Sequence, residues 1–167
     1  MIVVSDTTPL ISLLKIERID LLEKLFGRVL IPQAVFDELV VDGRFKNEAE
    51  VIQNKKFIQI KNVNNQESVS ILKRATGLDQ GESEAIVLSD EVKADLLLMD
   101  EAKGRAVSSD MGLSIMGTIG ILMAAYKEHE LTADEVKECV AGLQRANRHI
   151  GQRHYQLLLD MLDNDRY

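Results

Sequence analysis

The chain has 167 residues, of which 46% are hydrophobic, and a formal net charge of -7. Its length suits one well-buried domain and is short for two, and its composition excludes a disordered or fibrous protein. The negative charge argues against a protein that binds nucleic acid through bulk electrostatics, although a local basic strip or a basic partner is compatible with it.

The sequence shows no sign of export or of membrane insertion. The longest nearly uncharged apolar passage, residues 114–126, contains two glycines and is shorter than the roughly 18 residues that a membrane span needs. Because Met1 leads directly into an apolar run, we expect no signal peptide. The single cysteine, Cys139, excludes an internal disulfide and a thiolate metal cluster, which suits a reducing cytoplasm. We therefore predict a cytoplasmic protein in which Cys139 is a packing residue.

The first candidate acid lies close to the start of the chain. Residues 2–4 are apolar and β-branched and predict a strand, which runs into Asp6 just before a helix. Thr8 is the predicted N-cap of that helix, with Pro9 at its first position. Asp6 therefore stands at the end of a strand.

A second strand and a second candidate acid follow. The pattern predicts a strand over residues 29–31 and a helix over residues 32–41 that presents Val35 and Leu39 to the core. Glu38 lies at the edge of this apolar stripe and not on the opposite face of the helix. Its side chain can therefore reach inward.

The next part of the chain is mostly polar. We predict one helix after Gly43, with Ala49 and Ile52 inward, then a strand over residues 57–60 at an edge of the sheet. A short helix over residues 67–74 completes this part.

Two glutamates compete for a place near the start of the next helix. The pattern predicts a helix after Gly81 with Ala85 and Leu88 on its buried stripe. Glu82 and Glu84 flank this stripe from opposite sides, at about 100 degrees per residue. The helical pattern alone does not choose between them.

The last candidate acid ends a buried strand. The four-residue apolar run 96–99 predicts a parallel strand that is covered on both faces, and Asp100 follows it. Open parallel sheets place their ligand sites beyond the carboxyl ends of their strands. Asp6 and Asp100 are therefore predicted to converge, which is unfavourable unless a cation or a shared proton offsets their repulsion.

Helices dominate the remainder of the chain. A helix to about Asp110 is predicted with Ala102, Ala106 and Val107 inward and with Lys103 and Arg105 outward. A strand is predicted over residues 113–116. A further helix over residues 117–130 follows.

The C-terminal part combines a strong helix start with a basic segment. Thr132 is a predicted N-cap, and Glu135 completes a capping box. The segment 144–154 is the one basic concentration in an acidic chain and holds Arg145, Arg148, His149, Arg153 and His154. Either a solvated face or a nucleic-acid groove would explain it.

Strands that alternate with helices along the whole chain predict an α/β fold. We expect a three-layer sandwich in which a mostly parallel sheet of four to five strands is flanked by helices. No internal repeat and no domain boundary is evident. We therefore predict a single domain over residues 1–167, with residues 131–167 as a helical C-terminal extension.

The candidate site is the set of acids Asp6, Glu38, Glu82 or Glu84, and Asp100. These side chains supply oxygen ligands only, which suits Mg²⁺ or Mn²⁺ and not zinc. Metal ions held by carboxylates can orient a water, lower its pKa and stabilise a phosphate under in-line attack. The plainer alternative is that some of the 27 acids stand at helix starts, where carboxylates are favoured. Glu101 suits such a surface position better than a ligand position.

With the acids placed, about residues 1–130 resemble the PIN-domain family, and within it the branch whose members look like toxins of toxin-antitoxin modules. Four short stretches in this order carry the resemblance: IVVSDTTPL at 2–10, LIPQAVFDEL at 30–39, LDQGESEAI at 78–86 and LLMDEAKGR at 97–105. Each stretch is short, but the four together are specific.

The resemblance assigns roles to individual residues. It implies four catalytic acids, Asp6, Glu38, Glu84 and Asp100, of which Asp6, Glu84 and Asp100 bind the metal. Thr8 matches a position that orients a ligand or water beside the first acid. Glu82 is the competitor for the third acid, Arg105 is a candidate phosphate contact, and Glu101 is a further secondary candidate.

The resemblance also implies an activity and partners. It predicts a Mg²⁺- or Mn²⁺-dependent endoribonuclease that hydrolyses phosphodiester bonds of single-stranded RNA, as the toxin of a toxin-antitoxin pair. It further implies a homodimer and an antitoxin protein whose tail occupies the acidic groove.

Two other functions are compatible with parts of the sequence. The third acid of the family is usually aspartate and is glutamate here, and the motif after the last strand is also altered, which would suit a catalytically degenerate PIN-like module that binds a protein. Haloacid-dehalogenase-like phosphatases also begin with a strand that ends in aspartate, but they need an acid where Thr8 stands.

Overall fold

The computed structural model describes residues 1–41, 46–148 and 150–165. Gly43, after which we predicted a helix to begin, and His149 of the basic segment lie outside the described residues.

A five-stranded parallel sheet forms the centre of the molecule. Its strands are β1 (Val3–Ser5), β2 (Val29–Pro32), β3 (Ile58–Lys61), β4 (Leu96–Leu98) and β5 (Ile115–Met116). They lie in the order β3-β2-β1-β4-β5, and every neighbouring pair is parallel. The predicted parallel sheet is confirmed, and β3 lies at an edge as expected. The strand order reverses between β1 and β4, the kind of place where open α/β sheets bind their ligands.

Helices cover both faces of this sheet. They are α1 (Thr7–Lys15), α2 (Asp20–Phe26), α3 (Gln33–Val41), α4 (Lys46–Gln53), α5 (Gln66–Thr76), α6 (Gln80–Glu91), α7 (Ala102–Asp110), α8 (Thr118–Lys127), α9 (Ala133–Arg145) and α10 (Gln152–Asn164). Val3 packs in one buried cluster with Leu10 of α1 and Val35 of α3. Val4, which points to the other face, packs in a second cluster with Ile86 of α6. The predicted three-layer α/β architecture is therefore confirmed.

The two C-terminal helices share a third buried cluster with α2 and α8. Leu122 of α8, Val140 of α9 and Leu158 of α10 belong to it. Cys139 is buried in the same cluster, so its prediction as a packing residue is confirmed. No helix among the described residues is long and apolar enough to cross a membrane.

The first helix starts earlier than the sequence predicts. Its N-cap is Asp6 and its first residue is Thr7, so the prediction of Thr8 as N-cap is wrong. The reason is a contact across the sheet: the backbone N–H of Asp6 donates to the carbonyl oxygen of Leu98 at 2.9 Å, which holds Asp6 in line with the strands. The chain then turns into the helix at the next residue.

The buried face of α7 also differs from the prediction. Val107 packs against the second buried cluster as predicted. Gly104 and Ser108 also face inward, whereas Ala102 and Ala106 are exposed. The reason is the buried thioether of Met99, which fills the space that a Cβ at Gly104 would occupy and which lies 3.9 Å from Ser108 Oγ. Small residues, which add little to a hydrophobic pattern, make this contact.

Candidate active site

The carboxyl ends of β1 and β4 bring two of the predicted acids to one edge of the sheet. These strands pair directly, with Ser5 opposite Leu98, and Asp6 and Asp100 follow them within two residues. The predicted placement of both acids beyond the ends of adjacent parallel strands is confirmed. This edge is also where the strand order reverses.

Asp6 is a buried carboxylate surrounded by other acids. Only 3% of its surface is exposed, and although it precedes α1 its side chain makes no capping hydrogen bond. Burial raises the pKa of Asp6 well above its usual range, and the backbone N–H of Thr7 acts in the opposite direction. The negative charges of Glu38, Glu82 and Asp79 raise the pKa further.

Glu38 reaches inward from α3, beside the apolar stripe. Its Oε2 accepts a hydrogen bond from Thr7 Oγ1 at 2.7 Å. Burial raises the pKa of Glu38, hydrogen bonds from Thr7 and from the Gly81 backbone lower it, and the charges of Asp79 and Glu82 raise it again. A Cβ at Gly81 would overlap the Glu38 carboxylate. The missing side chain at Gly81 therefore lets the start of α6 come close to α3.

Glu82 closes a capping box at the start of α6. Its backbone N–H donates to Asp79 Oδ1 at 2.8 Å, and its Oε2 accepts from the Asp79 backbone N–H at 3.0 Å. Burial raises the pKa of Glu82, the backbone of Asp79 lowers it, the charges of Asp79 and Glu101 raise it and that of Lys103 lowers it. Glu82 thus has a structural role in addition to its charge near Asp6.

Glu84 lies on another side of the same helix and joins α6 to α3. It is buried, with 6% of its surface exposed. Its Oε1 accepts from the backbone N–H of Ala34 at 3.4 Å, and its Oε2 accepts from Gln80 Nε2 at 2.6 Å. The two glutamates therefore differ in their partners, and the choice of Glu84 as third acid stays a prediction.

Asp100 is held in place by the start of α8. Its Oδ1 accepts from the backbone N–H of Thr118 and its Oδ2 from the Thr118 hydroxyl, both at 2.7 Å. Arg105 Nη1 donates to the carbonyl oxygen of Met99 at 3.0 Å, so the prediction that Arg105 points outward is wrong. A Cβ at Gly117 would lie 2.8 Å from Asp100 Oδ1 and 3.0 Å from Arg105 Nη1, so this close approach depends on the glycine.

A cleft of about 880 Å³ opens beside Asp100. Three secondary candidates, Thr8, Glu101 and Arg105, line it together with Asp100. Glu101 is exposed at the start of α7 and caps that helix with no side-chain hydrogen bond. Of the four predicted catalytic acids, Asp100 lines this cleft, whereas Asp6, Glu38 and Glu84 do not.

A family model described as PIN domain matches residues 2–164. The chain belongs to the PIN-domain family. PIN domains are generally nucleases and typically use divalent metal ions. The matched range extends beyond residue 130, where the sequence resemblance ended, and takes in α9 and α10. No curated protein matches the chain significantly.

The acids of this PIN domain have the chemistry that a divalent cation requires. Asp6 offers a buried carboxylate with other negative charges around it and no capping hydrogen bond. Within the described residues, no group of three or more histidine, cysteine or acidic side chains is assembled to hold a metal ion. Mg²⁺ is commonly bound by only one or two carboxylates and keeps several waters, so a group of three protein ligands is not required. The residues present therefore fit a metal ion that is also ligated by water and substrate.

Three polar partners of the candidate acids were not predicted from the sequence. The Thr7 hydroxyl donates a hydrogen bond to Glu38. The Gln80 amide donates one to Glu84, and the Thr118 hydroxyl donates one to Asp100. The hydrogen bond from Thr7 to Glu38 joins residues 31 apart, so local sequence patterns do not indicate it. The signal for Thr118 was its place after β5, because the end of that strand neighbours the end of β4.

Proposed function

We propose that this PIN domain is a Mg²⁺- or Mn²⁺-dependent endoribonuclease that hydrolyses phosphodiester bonds of single-stranded RNA. The observation that carries the proposal is the buried Asp6 carboxylate, which lies where the strand order reverses and is surrounded by the charges of Glu38, Glu82 and Asp79. Among the described residues, no lysine or arginine forms an ion pair with Asp6. A cation would offset this concentration of negative charge.

The four predicted acids have two roles in this proposal, metal binding and proton transfer. Asp6, Glu84 and Asp100 are the candidate metal ligands, of which one or two would hold the ion together with water and substrate. The bound ion would lower the pKa of a water and offset charge on the phosphate. Glu38 is the further catalytic acid. Because burial raises its pKa, Glu38 can exchange a proton closer to neutral pH than an exposed glutamate can.

Neighbouring polar groups fix the orientation of these acids. Thr118 holds both oxygens of Asp100 through its hydroxyl and backbone N–H. Gln80 and the backbone of Ala34 hold the two oxygens of Glu84. Such contacts limit the motion of a carboxylate and so favour one geometry at the reaction centre.

The four motifs also lead us to propose a biological setting. We take the chain to be the cytoplasmic toxin of a toxin-antitoxin pair, a homodimer whose acidic groove is covered by the tail of an antitoxin protein. Growth arrest on induction of the wild-type chain, and not of Asp6→Asn, is the expected phenotype. Normal growth after induction of both, in cells that lack the antitoxin, contradicts the toxin role.

The activity is tested by incubating end-labelled single-stranded RNA, duplex RNA and single-stranded DNA with the purified chain. We expect cleavage of single-stranded RNA with Mn²⁺, and no cleavage with EDTA or by Asp6→Asn. Asp90→Asn is the matched control, because Asp90 is exposed near the other end of α6, and it should cleave as the wild type does. Cleavage that persists with EDTA would contradict the metal dependence.

A catalytically degenerate module that binds a protein is the second candidate. It is favoured by the hydrogen bonds that already occupy the oxygens of Glu84 and Asp100. This alternative predicts that folded wild-type protein cleaves none of the three substrates at any concentration of Mn²⁺.

A further inference from the structure

The cleft beside Asp100 is built partly from the C-terminal helices. Residues of α7 and α8 form one part of its lining, and residues at the junction of α9 and α10 form another. Asn147, Arg148 and Gly151 of that junction lie in the basic segment that the sequence singled out. The fold therefore brings part of this segment next to the candidate active site.

Two arginines in the cleft are held by hydrogen bonds to uncharged groups. Arg148 is half-buried, and its Nε donates to the hydroxyl of Ser12 on α1 at 3.1 Å. Arg105 is also half-buried and is anchored by the carbonyl oxygen of Met99. In the described part of the chain, neither guanidinium forms an ion pair. Each can therefore offer its remaining N–H donors to an anionic group.

The rest of the lining combines polar residues, among them Asp100, Glu101 and His154, with an apolar wall. Ile115, Ile119, Met123, Ile150 and Leu157 contribute to it, and all five are at least partly exposed. A cleft with apolar walls and a few fixed polar groups is typical of a site for an organic ligand. Arginines beside apolar walls suit a nucleotide, which has both an anionic phosphate and flat base faces.

We propose that this cleft is a subsite for the RNA strand next to the bond that is cleaved, with Arg148 and Arg105 binding phosphates and the aliphatic wall packing against an unpaired base. The proposal rests on the ribonuclease function above and adds a place for the strand to lie. Bases in a duplex are stacked and paired, so only a single strand can present a base to this wall. The subsite therefore gives a structural reason for a single-strand preference.

Arg145 provides a matched control within the same basic segment. It is exposed, its Nη2 lies 2.7 Å from Glu138 Oε1, and it does not line this cleft. Arg148→Gln and Arg145→Gln remove the same charge from the same segment. Only the first change removes a donor from the proposed subsite.

The test measures binding of a fluorescent single-stranded RNA by anisotropy in EDTA, at a series of salt concentrations. We expect Arg148→Gln to weaken binding by about tenfold or more, as loss of a charge-assisted hydrogen bond implies. The slope of log affinity against log salt should fall by about 0.7, the contribution of one phosphate contact on a single strand. Arg145→Gln should leave affinity and slope close to those of the wild type.

Two further variants and an unfolding measurement distinguish a lost RNA contact from a loss of folded protein. Arg105→Gln tests the other guanidinium, and Arg148→Lys keeps the charge while it loses the planar donor group. Arg148→Lys should retain the salt slope and lose part of the affinity. Thermal unfolding of Arg148→Gln and Arg148→Lys shows whether the contact between Arg148 and Ser12 is needed for stability.

The outcomes separate this inference from the proposed function. Binding that depends on Arg148, without any cleavage in Mn²⁺, supports the subsite and contradicts the ribonuclease. Cleavage by the wild type with unchanged affinity and KM in Arg148→Gln supports the ribonuclease and overturns the subsite. If the wild type does not bind the RNA, the subsite is also overturned, and an acidic protein segment becomes the occupant to test.

Discussion

At the scale of the residue, burial of the charged Asp6 carboxylate is unfavourable for the stability of the folded protein. Asp6 is buried and close to other acids, and both effects favour its protonated form. The folded protein therefore binds this proton more tightly than the unfolded chain, in which the pKa of an aspartate is near 3.8. Stability from this group is highest below that value, falls as the pH rises toward the folded-state pKa, and stays reduced above it.

Asp6→Asn should consequently stabilise the metal-free protein at neutral pH. The amide has a similar shape and carries no charge, so the unfavourable burial of a carboxylate is removed. In EDTA at pH 7 we expect a Tm a few degrees above that of the wild type, since about 1 kcal/mol shifts the Tm of a domain of this size by about 2–4 °C. The difference should narrow as the pH is lowered toward 4, because the wild-type carboxyl then takes up its proton.

Calorimetry of Asp6→Asn, Asp90→Asn and the wild type over this pH range gives the comparison. Asp90 is exposed, so its substitution should change the Tm little. A lower Tm for Asp6→Asn at pH 7 would mean that Asp6 stabilises the start of α1 and is not an unfavourable buried charge.

At the scale of the element, the close approach of α6 to α3 positions Glu38. Gly81→Ala adds a methyl group that would lie 2.9 Å from Glu38 Cδ and so displaces the carboxylate. Alanine is otherwise favoured over glycine within a helix, so stability should change little. We expect kcat to fall by about 10- to 100-fold, as displacement of a catalytic group by about 1 Å can cause.

Steady-state cleavage rates of Gly81→Ala and Glu38→Gln, each compared with unfolding curves, test this prediction. Both variants should be slow and folded. Full activity in Gly81→Ala would show that the position of the Glu38 carboxylate does not limit the reaction.

Local patterns predicted most elements, and long-range contacts explain the errors. The capping box of Thr132 and Glu135 was predicted and is present, because its hydrogen bonds join residues three apart. The cap of α1 was misplaced because the bond from Asp6 to Leu98 on another strand decides it. The inward face of α7 was missed because Gly104 and Ser108 carry no hydrophobic signal.

For the candidate site, the sequence predicts acids that follow strands but not their contacts with distant parts of the chain. The position of Asp6 and Asp100 beyond two strand ends was predicted correctly, because strand ends are visible in the sequence and the parallel sheet brings both ends to one edge. Thr118 and the cleft around Arg148 depend on contacts between distant segments, such as the 136 residues that separate Arg148 from Ser12. A single sequence does not specify such contacts.

At the scale of the whole molecule, the C-terminal helices α9 and α10 share a buried cluster with α2 and α8. Leu158 of α10 is fully buried against α8 and α9. Leu158→Ala should lower the free energy of unfolding by about 2–5 kcal/mol. Because the buried cluster joins α10 to α2 and α8, we expect wild type and variant each to unfold in one transition.

Denaturant unfolding followed by circular dichroism tests this prediction, with Leu157→Ala as control. Leu157 is the neighbouring residue but is 49% exposed, so its loss should have a much smaller effect on stability. Two transitions in the wild type, only one of which moves in Leu158→Ala, would show that residues 131–167 unfold as a separate unit.

The central claim is that the acids around Asp6 bind a divalent cation, and a Mn²⁺ titration by isothermal calorimetry tests it most directly. We expect wild type and Asp90→Asn to bind Mn²⁺ with the same affinity. Asp6→Asn should bind at least about 10- to 100-fold more weakly, the loss that even an indirect partner of a metal can cause. Equal affinity in Asp6→Asn and the wild type would contradict the claim.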